Sequence, residues 1–406
     1  MSDGFMAFKG LGWVAAALVV VATVMPGTTM SQLNRLRTAR TEEMARPGLF
    51  KKASYPTPTT TTTTSTPTTN QVFQQETTIP SEFAPSTTIF ASYMPNPNPP
   101  SENVGAFRFL CGPGQLSYDD PIVYPGQPGK AHLHQFYGNM SANAYSTFAS
   151  LRAGGSSTCG SPSANPANRS AYWMPALLDG KGNVVSPDTV DLYYKRTPKS
   201  GVGCTNGVRM KACAGIPNGL RFIFGYDMQA GRPGEISFNF YCEALGGNYK
   251  TLKEALNGCP VGSHVFVRAD GPTCWDGAHL DSAAHRSHLS YMQDTHLGYF
   301  ACPSTHPVGI PTLTLSVAYR IAAGDTPGTW RFSSDDMHPE LPAGTTMHAD
   351  YWEAWDPTVK AMWQDNCIDR MLNCVGGALG NGYSIIGAAN PWYGWINPNH
   401  LVPMPK

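Results

Sequence analysis

The chain has 406 residues, enough for one large domain or two ordinary ones. Charged residues make up only 14% while Gly (41) and Pro (35) are abundant, which argues against a helical bundle and for a turn-rich fold. The formal net charge is zero, so there is no basic field to draw in a phosphate backbone, and nucleic acid is not an expected partner.

Residues 11–25 are an unbroken run of apolar or small residues after Lys9. The run is long for the core of a signal peptide and shorter than the roughly 20 residues that span a bilayer. Segment 1–30 therefore reads as a cleaved signal or an uncleaved anchor. Either one exports the rest of the chain, and a membrane contact is expected only through a retained anchor. Residues 31–103 read as a disordered stalk. Residues 54–69 are almost all Thr and Pro, and low complexity continues to the run NPNPP at 96–100. Pro keeps such a chain extended and Thr offers hydroxyls for O-glycosylation.

Residues 104–406 read as a single folded domain. Runs rich in β-branched and aromatic residues, bounded by Gly, Pro, Asn or Asp, predict strands at 220–228, 235–244, 264–270, 312–321 and 347–355. Helical spacing appears at 249–258 and 358–374. The expected class is mostly β: an antiparallel sandwich or jelly-roll-like domain with long disulfide-tied loops and a few short helices. All ten cysteines fall between Cys111 and Cys374 with no CxxC pair. Behind an export signal, that pattern reads as up to five disulfides. A helix through 361–374 would hold Cys367 and Cys374 about 10 Å apart, which excludes a bond between them. Two sequons, at Asn139 and Asn168, mark candidate N-glycosylation sites.

The chemistry-bearing residues cluster in loops and strand ends. His132 and His134 would share one strand face, with Cα atoms about 6.6 Å apart, so both imidazoles would reach one metal ion. His348 and Asp350 repeat the spacing with a carboxylate as second member. A set of three histidines, or two histidines and a carboxylate, suits a transition metal such as zinc or copper. The other readings of these histidines are substrate hydrogen bonding, proton transfer and plain backbone bonding. Asp276, His288 and His306 are the acid–base candidates. Trp173, Trp275, Trp352 and Trp355 are candidates for a sugar-stacking platform. The aromatic tail, with Tyr383, Trp392, Tyr393 and Trp395, would either stack on sugars or pack onto the domain. No GxSxG, HExxH, P-loop or GxGxxG motif is present.

Five stretches, taken in order, resemble the DUF1996 family: 120–139 with HLH, 170–179, 274–292 with CWDGAHLD, 302–319 with CPSTHP, and 347–356 with HADYW. The resemblance covers about 107–370. His348 and Asp350 match the family's closing HxD-type motif. The segment 199–215 and the tail after 375 are not covered. The resemblance implies a secreted, β-rich domain and assigns no activity. It places His132, His134, Asp276, His288, His306, His348 and Asp350 within shared motifs. The leading expectation is a secreted or cell-surface metal-dependent enzyme acting on polysaccharide or another cell-wall polymer. A carbohydrate-binding module displayed on a stalk and a purely structural adhesion protein are the alternatives.

Overall fold

The structure is a computed structural model that describes residues 80–98, 102–232, 238–388 and 397–406. The apolar segment and the Thr-rich run lie outside the described residues, as do Trp392, Tyr393 and Trp395 of the tail.

Two sheets carry the domain. In chain order their strands are β1 (Gly105–Cys111), β2 (Leu116–Ser117), β3 (His134–Gly138), β4 (Ala171–Pro175), β5 (Thr189–Arg196), β6 (Arg221–Gly225), β7 (Phe238–Cys242), β8 (Gly246–Tyr249), β9 (His264–Asp270), β10 (Thr312–Arg320), β11 (His348–Trp352) and β12 (Asn373–Cys374). The larger sheet runs β8-β7-β9-β10-β5-β1-β12 and the smaller β6-β11-β4-β3-β2. All pairings are antiparallel except β1 with β12.

Burial follows from side-chain alternation. In β5 and β9 every second residue is buried, the mark of one covered and one open face. In β3, β4 and β11 every residue is buried, so the smaller sheet is covered on both sides. Its inner face meets the larger sheet through an aromatic layer. The Tyr172 and Tyr194 hydroxyls lie 2.8 Å apart, Tyr194 donates to Tyr351 at 3.2 Å, and Trp355 Nε1 donates to Tyr194. Its outer face carries a second apolar cluster of Ile122, Phe136, Leu151, Trp173, Ile223 and Trp352. The loop before β3 and the helix α1 (Phe148–Ala153), started by a Thr147 capping box, supply the cover.

The predicted strands all form, with the described ends trimmed by a few residues; residues 235–237 of the second lie outside the described residues. The helix expected at 249–258 is shorter: α2 (Leu252–Leu256), closed by a reciprocal Thr251–Glu254 capping box. The helix expected at 358–374 ends early. α3 (Pro357–Trp363), capped by Asp356, passes into a π-helical turn over Gln364–Ile368. Met371 then takes a left-handed conformation, and the chain turns into β12. This fold-back brings Cys367 and Cys374 to a Cα separation of 5.9 Å, and they are disulfide-bonded. The exclusion of that pair rested on a continuous helix and is corrected. The other bonds are Cys111–Cys159, Cys204–Cys213, Cys242–Cys259 and Cys274–Cys302.

Part of the segment 31–103, read from composition as a stalk, belongs to the domain. Residues 80–98 dock onto the domain. Ile89–Ala91 pairs with Tyr383–Ile385, and Ser81 Oγ and Glu82 N both donate to the Asp356 carboxylate. Low complexity hides these few anchoring residues.

Candidate metal centre

Sheet register sets the site. His134 lies opposite Pro175 and Asp350 opposite Trp173. Because side chains alternate, His348 and His134 therefore stand on the outer face in one row, on either side of Pro175. Their strands are about 10 Å apart, two inter-strand spacings, a gap that two imidazoles reaching toward each other can close. His132 enters from the loop before β3.

That loop is pinned by two acids. Asp120 Oδ1 accepts from the Ile122 and Val123 amides, and the Asp119 carboxylate accepts from Gly129 N and Ala144 N. Gly225, beside His348 on the neighbouring strand, has φ +95°, and a Cβ there would sit 2.7 Å from His348 Cα. Only glycine lets β6 approach β11 so closely.

One ligand-type nitrogen from each of His132, His134 and His348 lies within 4.8 Å of the other two, and among the described residues this is the one such group of three. The Nε2 atoms of His132 and His348 are 3.3 Å apart. Each ring is oriented by an oxygen at Nδ1. His134 Nδ1 donates to the Asp119 carbonyl at 3.0 Å and His348 Nδ1 to the Thr346 carbonyl at 2.9 Å. His132 Nδ1 is 3.0 Å from Ser333 Oγ, whose own proton goes to the Leu133 carbonyl. With Nδ1 protonated in each ring, all three Nε2 atoms carry lone pairs. His134 Nε2 is buried with no hydrogen-bond partner.

Asp335 fixes the third oxygen source. It accepts from Phe332 N and Gly344 N with one oxygen and from Thr346 Oγ1 with the other. This ties together the turn that bears Ser333 and the segment that bears Thr346.

Electrostatics keep the three rings neutral. Burial lowers His132 to about 4. Burial, followed by the neighbouring imidazoles, holds His134 and His348 well below the usual histidine value. Neutral imidazole is the form that binds metal. Asp350 points from the same face, two residues from His348. It is fully buried, and neither carboxylate oxygen has a hydrogen-bond partner. Burial pushes its pKa well up, the nearby Asp120 adds to that, and Arg286 opposes it.

The structure thus brings together His132, His134 and His348, with Asp350 on the same face but outside the three-nitrogen group. Asp276, His288 and His306 do not join them. Asp276 accepts from Ala278 N and His279 N and contacts the His279 ring, closing its own turn. His288 is engaged by Ser282 Oγ and the Arg221 carbonyl, and His306 by Thr305 Oγ1 and the Ser287 carbonyl. The four tryptophans proposed as a sugar platform are all buried, between 0% and 3% exposed, so no ring face is open to a ligand. Trp173 stacks on Phe136, Trp352 lies under the Arg221 guanidinium, Trp275 donates to the His279 carbonyl, and Trp355 belongs to the aromatic layer. The sequon asparagines are buried too. Asn139 donates to three carbonyls and Asn168 to the Tyr172 hydroxyl, which leaves neither nitrogen free for a glycan.

Sequence reasoning missed Asp119, Ser333, Asp335 and Thr346. Two of these act through main-chain carbonyls, which no side-chain pattern reveals.

A family model described as a domain of unknown function, DUF1996, matches residues 120–355. That span starts at the loop leading to His132 and ends just past β11. No curated protein and no solved structure matches the chain.

Proposed function

Since the chain belongs to the DUF1996 family, whose description carries no activity, we propose a function from the site itself: an exported domain that binds one zinc or copper ion through His132, His134 and His348. The observation that carries this reading is that one ligand-type nitrogen of each of the three histidines lies within 4.8 Å of the other two, with an oxygen at each ring's Nδ1. Packing alone does not favour three neutral imidazoles with lone pairs facing one another, because the lone pairs repel and stay unsatisfied. A cation at their centre removes that cost. Oxygen acceptors at the far nitrogen are also the usual support of metal-bound histidines.

Three protein ligands leave coordination positions open, the arrangement of catalytic rather than structural zinc sites. His132 is the one member of the set that is partly exposed. The bound ion would supply Lewis acidity or a lowered water pKa. Asp350 would hold a proton on the same face. The reading is a metal-dependent enzyme acting on a polysaccharide or cell-wall polymer outside the cell, and the five disulfides suit that oxidising compartment. Among the described residues no helix is long and apolar enough to cross a membrane.

The test is a turnover survey over wall glycans with metal-loaded protein, chelated protein and His348→Ala. The expected result is turnover only in the loaded wild type. Turnover that survives both chelation and His348→Ala, or no turnover of any wall polymer, would sink the enzymatic reading.

A further inference from the structure

The open face of the larger sheet, away from the metal centre, carries a trough of about 400 Å³. Its floor is the central strand β10, where Thr314 and Ser316 present small hydroxyl side chains. Tyr193 rises from β5 on one side, directly opposite Thr314, and Tyr241 from β7 on the other. The Tyr241 ring is stacked on Phe266 at 4.6 Å and nearly parallel to it, so that wall is held in place before any ligand arrives.

The polar groups of the trough are internally balanced. Arg108 pairs with Asp191 and Arg268 with Asp270, while Glu102, which also lines the trough, is offset by Lys195, whose Nζ lies 5.4 Å from the Tyr193 ring centroid. No net charge is left to select an ion. One acceptor, however, is unmet: Asp191 Oδ1 is buried without a hydrogen-bond partner, while Oδ2 takes the Arg108 Nε proton. Tyrosine walls, a floor of small hydroxyl side chains and charges paired with one another fit a neutral ligand with apolar ring faces and many hydroxyls.

We propose that this trough binds a run of neutral sugar residues, so that the domain holds a glycan on the sheet opposite its metal centre. The assignment does not depend on the metal reading. It returns a sugar-binding role to the molecule on tyrosines rather than on the buried tryptophans.

The experiment titrates the full chain with cello-, laminari-, xylo- and chito-oligosaccharides, followed by calorimetry and by intrinsic fluorescence. Tyr193→Ala, Tyr241→Ala and His348→Ala run alongside. Both tyrosines are half-buried, and retained melting temperature confirms that each variant folds. The expected result is saturable binding of at least one series, weakened tenfold or more by each tyrosine change and unaffected by His348→Ala. Absence of binding to all four series at millimolar concentration would overturn the proposal. So would binding that both tyrosine variants retain in full.

Discussion

At the residue scale the site depends on small polar partners more than on the histidines' spacing. His132 and His134 could be read as a pair because an HxH step on a strand puts two rings on one face. His348 stood out for the same reason, but its pattern named Asp350 as an equal candidate. Register decides between them: His348 shares a row with His134, and Asp350 lies one row away opposite Trp173. Ser333 is 201 residues from His132 in sequence, so nothing local links them. Removing that hydroxyl in Ser333→Ala should leave the fold intact and weaken metal affinity about tenfold, since outer partners of metal ligands carry effects of roughly 10–100-fold. A competition titration against a chelator measures it, and an unchanged affinity would mean that Ser333 does not orient the ring. The sequons give a second prediction. Expressed in a glycosylating host, the folded protein should carry no N-glycan at Asn139 or Asn168, as peptide mass mapping will show. Asn139→Ala should lower stability by about 2 kcal/mol, because the buried Leu151 carbonyl and the part-buried Gly154 and Arg169 carbonyls share this one amide as donor.

At the element scale the strands were readable wherever burial alternates. Residues 264–270 were bounded correctly because Val265, Val267 and Ala269 face the core and their neighbours do not. The C-terminal helix was not readable beyond Trp363. Its later residues keep helical spacing, but the π-turn and the Cys367–Cys374 bond redirect the chain, and both are tertiary events. Docking of 80–98 was hidden for a similar reason, since a short strand and two hydrogen bonds to Asp356 leave little mark on composition. One pairing between elements is pH-sensitive. His264, at the start of β9, lies between Asp188 and Glu243 at 3.0 and 2.8 Å. Asp188 also meets Arg320 and accepts from Asn397 N, so the cluster joins β9, β10 and the C-terminal segment. The Asp188 hydrogen bond, then Glu243, raises the His264 pKa above its ordinary 6.5. The charged form is favoured by folding, so its contribution is complete below that ordinary value and is lost as pH climbs through the raised one. The melting temperature should therefore fall between pH 6 and 8 in the wild type and fall less in His264→Gln. Identical slopes would show that the cluster adds nothing.

At the scale of the whole molecule, the smaller sheet is a middle layer with two different faces. Its inner face is taken up by the aromatic contact with the larger sheet. Its outer face is apolar at Phe136, Trp173 and Trp352, yet it carries His134, His348 and Asp350 at one end. Polar residues in a place where packing would select Val or Leu are what a site built into a scaffold requires. The β-rich class and the membership of DUF1996 were visible in alternation and in ordered motifs. The spacing pointed to His132 and His134 meeting His348 or Asp350, but the choice of His348 was not visible, because it is a property of register across the sheet. If the ion binds only the folded state, it also stabilises the whole domain, by about 4 kcal/mol when free metal stands at a thousand times its Kd. Chelation should then lower the melting temperature, and a melting temperature that chelation leaves unmoved would argue against a site occupied in the folded protein.

The most direct test is elemental analysis of the purified full chain beside His132→Ala/His134→Ala. The expected result is about one zinc or copper ion per chain in the wild type and none in a double variant that still shows the same five disulfides and a cooperative melt. A wild type that is metal-free as isolated, and stays so after incubation with zinc and with copper, would contradict the metal centre.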